Sequence, residues 1–309
     1  MPLHIATPLL ASPALSAAAG REVWLKLEAA QPPGSFKIRG VGLACETHAR
    51  AGKRRLLSSS GGNAGMAVAY AGQRLGLPVT VVVPHTTSAH ARQAIAQYGA
   101  EVVVHGRAWD EAHALAQSLL DEHTAFIHPF DDPLLWQGHA SLIDEVAAAG
   151  LRPDAVLLAV GGGGLLAGVA EGLRRHGWGD VTLIAAETAG AHAYAQALQQ
   201  GQAAALPAIT SLATSLGARQ VCAQALAVAR QQPVRSSVVS DAQAVAACLR
   251  FLDEHRILTE PACGAALAPL YAAAPVLHDC QRLLVVVCGG ATCTLAQLQA
   301  WHADLHALP

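Results

Sequence analysis

Short runs of β-branched and leucine residues recur along the chain and alternate with longer segments rich in Ala, Leu and Gln. The apolar runs predict strands at Val23–Leu27, Leu56–Ser59, Val79–Val83, Glu101–Val104, Ala155–Val160, Val181–Ala186 and Leu283–Val287. Between them, Asn63–Leu75, Ser88–Tyr98, Ala108–Glu122 and Leu165–His176 have helical length and composition. Most strand runs are apolar at nearly every position rather than at alternate ones, as expected of strands covered on both faces. Strands of that kind alternating with helices predict an α/β protein with mainly parallel sheets, each sandwiched between helices. Gly76-Leu77-Pro78, Tyr98-Gly99-Ala100 and Gly177-Trp178-Gly179-Asp180 supply the turns. No low-complexity linker divides the chain, yet the strand–helix units from about Gly40 to Asp131 form a compact set. The expectation is a small domain over residues 40–134 and a large one over 1–39 and 135–309. The functional site is expected between them, where loops at the carboxyl ends of strands converge.

Composition narrows the partners. With 309 residues, 52% of them hydrophobic and 14% charged, the chain can bury a large core. Its net charge of −2 and its lack of any basic stripe speak against nucleic acid or a membrane surface as partner. The seven cysteines are scattered without a Cys-x-x-Cys, a pattern of reduced cytoplasmic thiols rather than a disulfide framework. The 15 histidines are equally dispersed, so no dedicated metal centre is expected. Met1 to Gly20 is apolar but holds no Lys or Arg before Arg21 and is interrupted by Pro2 and Pro13, unlike a signal peptide. The longest apolar stretch, Ala155 to Ala170, is split by consecutive glycines and reads as strand, loop and helix.

Candidate chemistry lies at the ends of the predicted strands. Lys37, in Gly34-Ser35-Phe36-Lys37-Ile38-Arg39-Gly40, stands at the mouth of a predicted helix beside an aromatic ring. In a largely apolar pocket the ammonium is disfavoured, and the amine becomes a usable nucleophile and base. Ser58-Ser59-Ser60-Gly61-Gly62-Asn63-Ala64-Gly65 follows a strand and opens a helix, a seat for a carboxylate. Asn63 there is either a helix cap or an amide free to donate to a phenolic oxygen. Gly161-Gly162-Gly163-Gly164-Leu165 occupies a second strand-to-helix junction and fits either a phosphate cradle or close packing. Cys288-Gly289-Gly290 ends the last strand, its thiol either a small core group or a neighbour for a ring nitrogen. Glu187 is either a buried cation ligand or a strand-end carboxylate.

Together these segments, with Glu260-Pro261-Ala262-Cys263-Gly264-Ala265-Ala266-Leu267, Phe130-Asp131-Asp132-Pro133 and Gly138-His139-Ala140-Ser141, resemble the fold-type II serine/threonine dehydratases that use pyridoxal 5'-phosphate. The nearest likeness is to the short catabolic L-serine dehydratases, and it runs from about Thr7 to the last helix. The resemblance implies a tryptophan synthase β-subunit-like fold of two three-layer α/β/α domains. It implies that Lys37 carries the cofactor covalently, with Phe36 against its ring, Asn63 on its phenolic oxygen and Cys288 at its ring nitrogen. Gly161, Gly162, Gly163, Gly164 and Leu165 would hold the phosphate, while Ser60, Gly61, Asn63 and Ala64 would receive the substrate carboxylate. Glu187, with carbonyls near Ala191, Leu216 and Ala218, resembles the family's monovalent-cation site, with potassium the expected ion. A homodimer is implied as well.

Two departures stand out. Serine racemases of this fold carry a serine where this chain has Gly61, and Ala193 stands where some relatives offer a hydroxyl. The activity expected is deamination of L-serine to pyruvate and ammonia, with L-threonine giving 2-oxobutanoate. The alternatives are threonine dehydratase as the main activity, another β-replacing enzyme of the fold, or a silent cofactor- or amino-acid-binding module. An intact Lys37 speaks against the last. The chain ends soon after the final motif, leaving no room for an appended regulatory domain.

Overall fold

The computed structural model describes residues 1–307. From β1 (Leu9–Ala11) the chain passes through α1 (Pro13–Ala19) into β2 (Glu22–Lys26), and α2 (Lys37–Arg50) carries it to a separate sheet. That sheet holds β3 (Arg55–Ser58), β4 (Val79–Val83), β5 (Glu101–Val104) and β6 (Thr124–Phe126), connected by α3 (Asn63–Leu75), α4 (Ala89–Ala96) and α5 (Trp109–Ser118). α6 (Pro133–Ala148) returns to the first sheet, which gains β7 (Ala155–Ala159), β8 (Thr182–Thr188), β9 (Val234–Val239) and β10 (Arg282–Val286). Around it lie α7 (Gly164–Arg175), α8 (Ala193–Gln200), α9 (Ala223–Gln231), α10 (Asp241–His255), α11 (Pro261–Tyr271) and α12 (Leu295–Ala307).

The six-stranded sheet has the order β1-β2-β10-β7-β8-β9 and the four-stranded sheet β5-β4-β3-β6. Every pairing is parallel except β1 with β2. β4 and β7 are buried at every position, which is why their runs are continuously apolar. Each sheet has its own main hydrophobic cluster. The expected strands and helices all form, with ends shifted by a few residues. Three further strands, β1, β6 and β9, carry no clear apolar run: β1 and β6 are three residues each, and β9 is a part-exposed edge reading Val-Arg-Ser-Ser-Val-Val.

β10, last of the strands in sequence, inserts between β2 and β7, with Val286 opposite Lys26 and Val285 opposite Leu157. This register brings Cys288 beside the start of α2. The Phe36 N–H donates to the Cys288 carbonyl at 3.0 Å, and Ser35 bridges Gly289. The division at 39/40 and 134/135 that we propose falls within α2 and at the start of α6, helices whose backbones touch. A Cβ on Gly40 would lie 2.5 Å from the Leu135 carbonyl oxygen, and one on Gly138 2.3 Å from that of Arg39. Only glycine fits at either place.

The same crossing encloses a buried ion network. Arg39, with no exposed surface, donates to both Glu28 oxygens at 2.7 and 2.8 Å and to both Glu145 oxygens at 2.7 and 2.9 Å. Lys26 pairs with Glu145 and donates to the Thr7 carbonyl at 2.7 Å. Each buried charge is thus matched, the condition under which such a cluster is tolerated. The first turn of α2 is fixed to β2 on one side and α6 on the other.

Candidate active site

Lys37 is the first residue of α2. The turn before it requires glycine: Gly34 has φ +78°, and a Cβ there would meet that of Ala291 at 2.6 Å. The Lys37 Nζ donates to the Pro129 carbonyl at 2.5 Å and lies 5.2 Å from the Phe36 ring centroid. Burial pushes its amine down to about 8, against the opposing pull of Cys288 and Glu260. Phe36 is packed edge-on against the buried His139 ring at a centroid distance of 4.9 Å.

The Pro129 perch is held by groups with no separate signal in the sequence. His128 Nδ1 accepts the N–H of Phe130 at 3.2 Å and of Asp131 at 2.7 Å, while Trp136 Nε1 donates to the Phe130 carbonyl at 2.9 Å. Burial, with nearby His113 and Lys37, brings the His128 pKa down to about 4. The imidazole is therefore neutral near pH 7, as an accepting Nδ1 requires.

β3 delivers the Ser60–Asn63 loop. Gly65 is dictated by that turn, since a Cβ there would fall 1.8 Å from the Ser60 carbonyl oxygen. Gly62, not Asn63, is the residue at the helix cap, and no side chain caps α3. Asn63 instead points its Nδ2 at Glu260 Oε1, 2.7 Å away, with Ser215 Oγ at 3.4 Å. This removes the capping alternative for Asn63. Its Oδ1 is buried without a partner. Ala64 is buried on the first turn, and the Ser60 Oγ is 3.4 Å from the Gly62 N–H. Gly61 adjoins an occupied space: a Cβ there would lie 2.6 Å from both Oγ1 and Cγ2 of Thr87. The Thr87 side chain, from the loop after β4, thus fills the space beside Gly61.

The tetraglycine loop joins β7 to α7. Cβ atoms on Gly161, Gly162, Gly163 and Gly164 would meet Leu216 Cα at 3.0 Å, the Phe130 ring at 2.3 Å, Ala225 Cβ at 2.5 Å and the Phe130 carbonyl at 2.6 Å. Close packing is therefore real at each position. It does not displace the anion reading, because no side chain caps the N-terminus of α7 and its first-turn N–H groups are left for a ligand. Leu165 is buried in that first turn.

Cys288 is buried just past the end of β10. A hydrogen bond with Cys263 and burial hold its thiol well above the ordinary range, so it stays protonated. Glu187 ends β8 side by side with α8: its two oxygens accept the N–H groups of Tyr194 and Ala195, each at 2.8 Å. Burial pushes its carboxyl up to about 7. Ala191 bridges Thr188 just beyond Glu187, while Leu216 and Ala218 lie in the turn that packs on Gly161. Among the described residues no cluster of three His, Cys, Asp or Glu side chains could hold a metal ion.

Pyridoxal phosphate fits the residues present. An uncapped helix N-terminus with a glycine approach suits its phosphate, the Asn63 Nδ2, whose second hydrogen has only Ser215 Oγ at 3.4 Å, suits an acceptor on its ring, and a protonated thiol suits a ring nitrogen. Thr292, His128 and Pro129 were not expected at the site, and Glu260 stood in a motif of the resemblance without a role of its own.

Comparison with known proteins agrees. The family model described as pyridoxal-phosphate dependent enzyme matches residues 1–289. An L-serine dehydratase/L-threonine deaminase of Homo sapiens is 48% identical over 317 residues, covering 98% of this chain and 96% of its own length. An L-serine dehydratase of Dictyostelium discoideum is 42% identical over 318 residues, covering 96% and 91%. A fungal L-serine ammonia-lyase from Rhizomucor miehei has a TM-score of 0.93 at 32% identity, covering 98% of this chain and 99% of its own.

Proposed function

The chain belongs to the pyridoxal-phosphate-dependent enzyme family, and we propose that within it the protein is an L-serine dehydratase that also deaminates L-threonine. The observation that carries the chemistry is the Lys37 amine, brought down to about 8 at the mouth of α2. The substrate follows from relatives named for L-serine that match 96 to 98% of the chain.

When bound, pyridoxal phosphate supplies a conjugated electron-withdrawing ring that acidifies the Cα–H of the amino acid it carries. Lys37 would hold the cofactor, and its neutral amine would take the Cα proton of the substrate as general base. Phe36 would pack on the cofactor ring, and Asn63 would donate to its phenolic oxygen. Gly161 to Leu165 and the N-terminus of α7 would receive its phosphate. The loop formed by Ser60, Gly61, Asn63 and Ala64 at the start of α3 takes the substrate carboxylate. Cys288, being protonated, offers the ring nitrogen only a weak hydrogen bond and does not fix a positive charge there. Loss of the Cα proton and the hydroxyl removes one water. The enamine released then takes up water and sheds ammonia, so L-serine becomes pyruvate and L-threonine becomes 2-oxobutanoate.

A monovalent cation, potassium first, belongs to this reading at Glu187 with the carbonyls of Ala191, Leu216 and Ala218. A single buried carboxylate supports a singly charged ion. A cytoplasmic homodimer is part of it too, supported by the likeness to the family and by seven free thiols. The test is steady-state keto-acid formation from L-serine, L-threonine and D-serine, with potassium and with a large organic cation in its place. Turnover of both L-amino acids, raised by potassium, is expected. Threonine turnover without any from L-serine would instead make the protein a threonine dehydratase.

A further inference from the structure

Glu260 is a buried carboxylate that the reaction described above leaves without a role. Its residue is 2% exposed, and it forms no ion pair among the described residues. Such a group is tolerated only if hydrogen bonds replace its water. Its backbone is held from several sides: its N–H donates to the Gly289 carbonyl at 3.2 Å, and its carbonyl accepts from the Cys248 thiol at 3.2 Å and the Cys263 N–H at 2.8 Å. Oε1 accepts from Asn63 Nδ2 at 2.7 Å, while Oε2 accepts from the Thr292 hydroxyl and, at 3.4 Å, the Thr292 N–H. It hydrogen-bonds neither Lys37 nor Cys288.

Both Glu260 oxygens are taken by donors, Oε2 by the Thr292 hydroxyl and Oε1 by the Asn63 amide, and an amide can serve such an oxygen only through its nitrogen. Nδ2 must face Glu260, and the second hydrogen on that nitrogen is left for another acceptor. Within the protein that hydrogen has only the Ser215 hydroxyl at 3.4 Å. A carboxylate on one N–H also polarises the amide and strengthens the other as a donor. We propose that Glu260, braced by Thr292, is a positioning residue that fixes the Asn63 amide with its free N–H toward the phenolic oxygen of the cofactor. This rests on the reading in which Asn63 meets that oxygen. Glu260 acts through Asn63 and touches neither substrate nor cofactor.

The test uses the cofactor-loaded enzyme and its cofactor-free form, with two readouts that need no turnover. These are the position of the visible cofactor band without substrate and the dissociation constant of pyridoxal phosphate. Asn63→Ala is expected to move the band and to weaken cofactor binding about tenfold, the loss of one charge-assisted hydrogen bond. Glu260→Leu should reproduce both changes, and the double variant should add nothing to either single one. Glu260→Gln keeps an acceptor oxygen and should hold both readouts close to those of the unaltered protein. A Glu260→Leu protein with an unchanged band and affinity, or a double variant with additive losses, would overturn the proposal. An unchanged Asn63→Ala protein would overturn the Asn63 assignment and this proposal with it. Should Glu260→Leu lose its cooperative melt, Thr292→Val, which frees only the far end of the carboxylate, carries the test. It should shift the band in the same direction, and an unshifted band would count against the proposal.

Discussion

A lysine amine in water is protonated up to about 10.5, and at neutral pH almost none of it is a base. Lys37 escapes this because its helix begins at a crowded junction, with the Phe36 ring alongside and the Pro129 carbonyl as its hydrogen-bond acceptor. Its pKa of about 8 implies an ammonium below that pH and a free amine above it. We therefore expect acylation of Lys37 in the cofactor-free enzyme to rise with pH to a midpoint near 8, read by mass spectrometry of the labelled peptide. Exposed lysines in the same sample should still be gaining reactivity above pH 10. A Lys37 midpoint in that upper range would show that burial does not activate it. Lys37, Asn63 and Cys288 were readable from the sequence because each sits at a strand–helix junction marked by glycines. Pro129 and Glu260 were not. Their contacts with Lys37 and Asn63 join positions 92 and 197 residues apart, which no local pattern encodes.

Among the elements, α2 matters most, since it carries Lys37 at its start and crosses α6 one turn later. Glycine at both Gly40 and Gly138 lets the two backbones touch, and Arg39 ties the crossing to Glu28 and Glu145. Replacing Arg39 by Leu leaves Glu28, which has no exposed surface, without its counter-charge. Breaking a buried pair in this way costs about 3–5 kcal/mol. A urea titration of Arg39→Leu should show a loss of that order, and a loss below about 1 kcal/mol would mean that the network is not holding the crossing. The periodicity of α2 gave no warning of this. A charged residue at position 39 reads as solvated surface until Glu28, in the turn after β2, and Glu145 of α6 are in place. The strands show the opposite limit: the continuous apolar runs of β4 and β7 are unmistakable, whereas short β6 and the half-polar edge β9 acquire their state only from neighbours.

At the scale of the whole molecule, the two sheets bring the beginning, middle and end of the chain to one place. β10 closes the gap between β2 and β7, so Cys288 arrives beside Phe36, while Lys37 opens the helix that leaves the six-stranded sheet and Asn63 follows β3, an interior strand of the other. Alternation of strands and helices was enough to foresee parallel sheets, but strand order was not legible, because it depends on which apolar faces pair in space. Gly61 shows the same limit in the site. Its missing side chain was visible in the sequence, but the Thr87 side chain packed against it was not. In the proposed function, this architecture lets one amine remove the Cα proton of L-serine. The measurement that bears on it most directly is pyruvate formation from L-serine by the purified, cofactor-saturated protein and by Lys37→Ala. Pyruvate and ammonia in equal amounts are expected from the first, with turnover lower by at least about 100-fold in the second. No pyruvate from the unaltered protein, or a Lys37→Ala rate within a few-fold of it, would contradict the account.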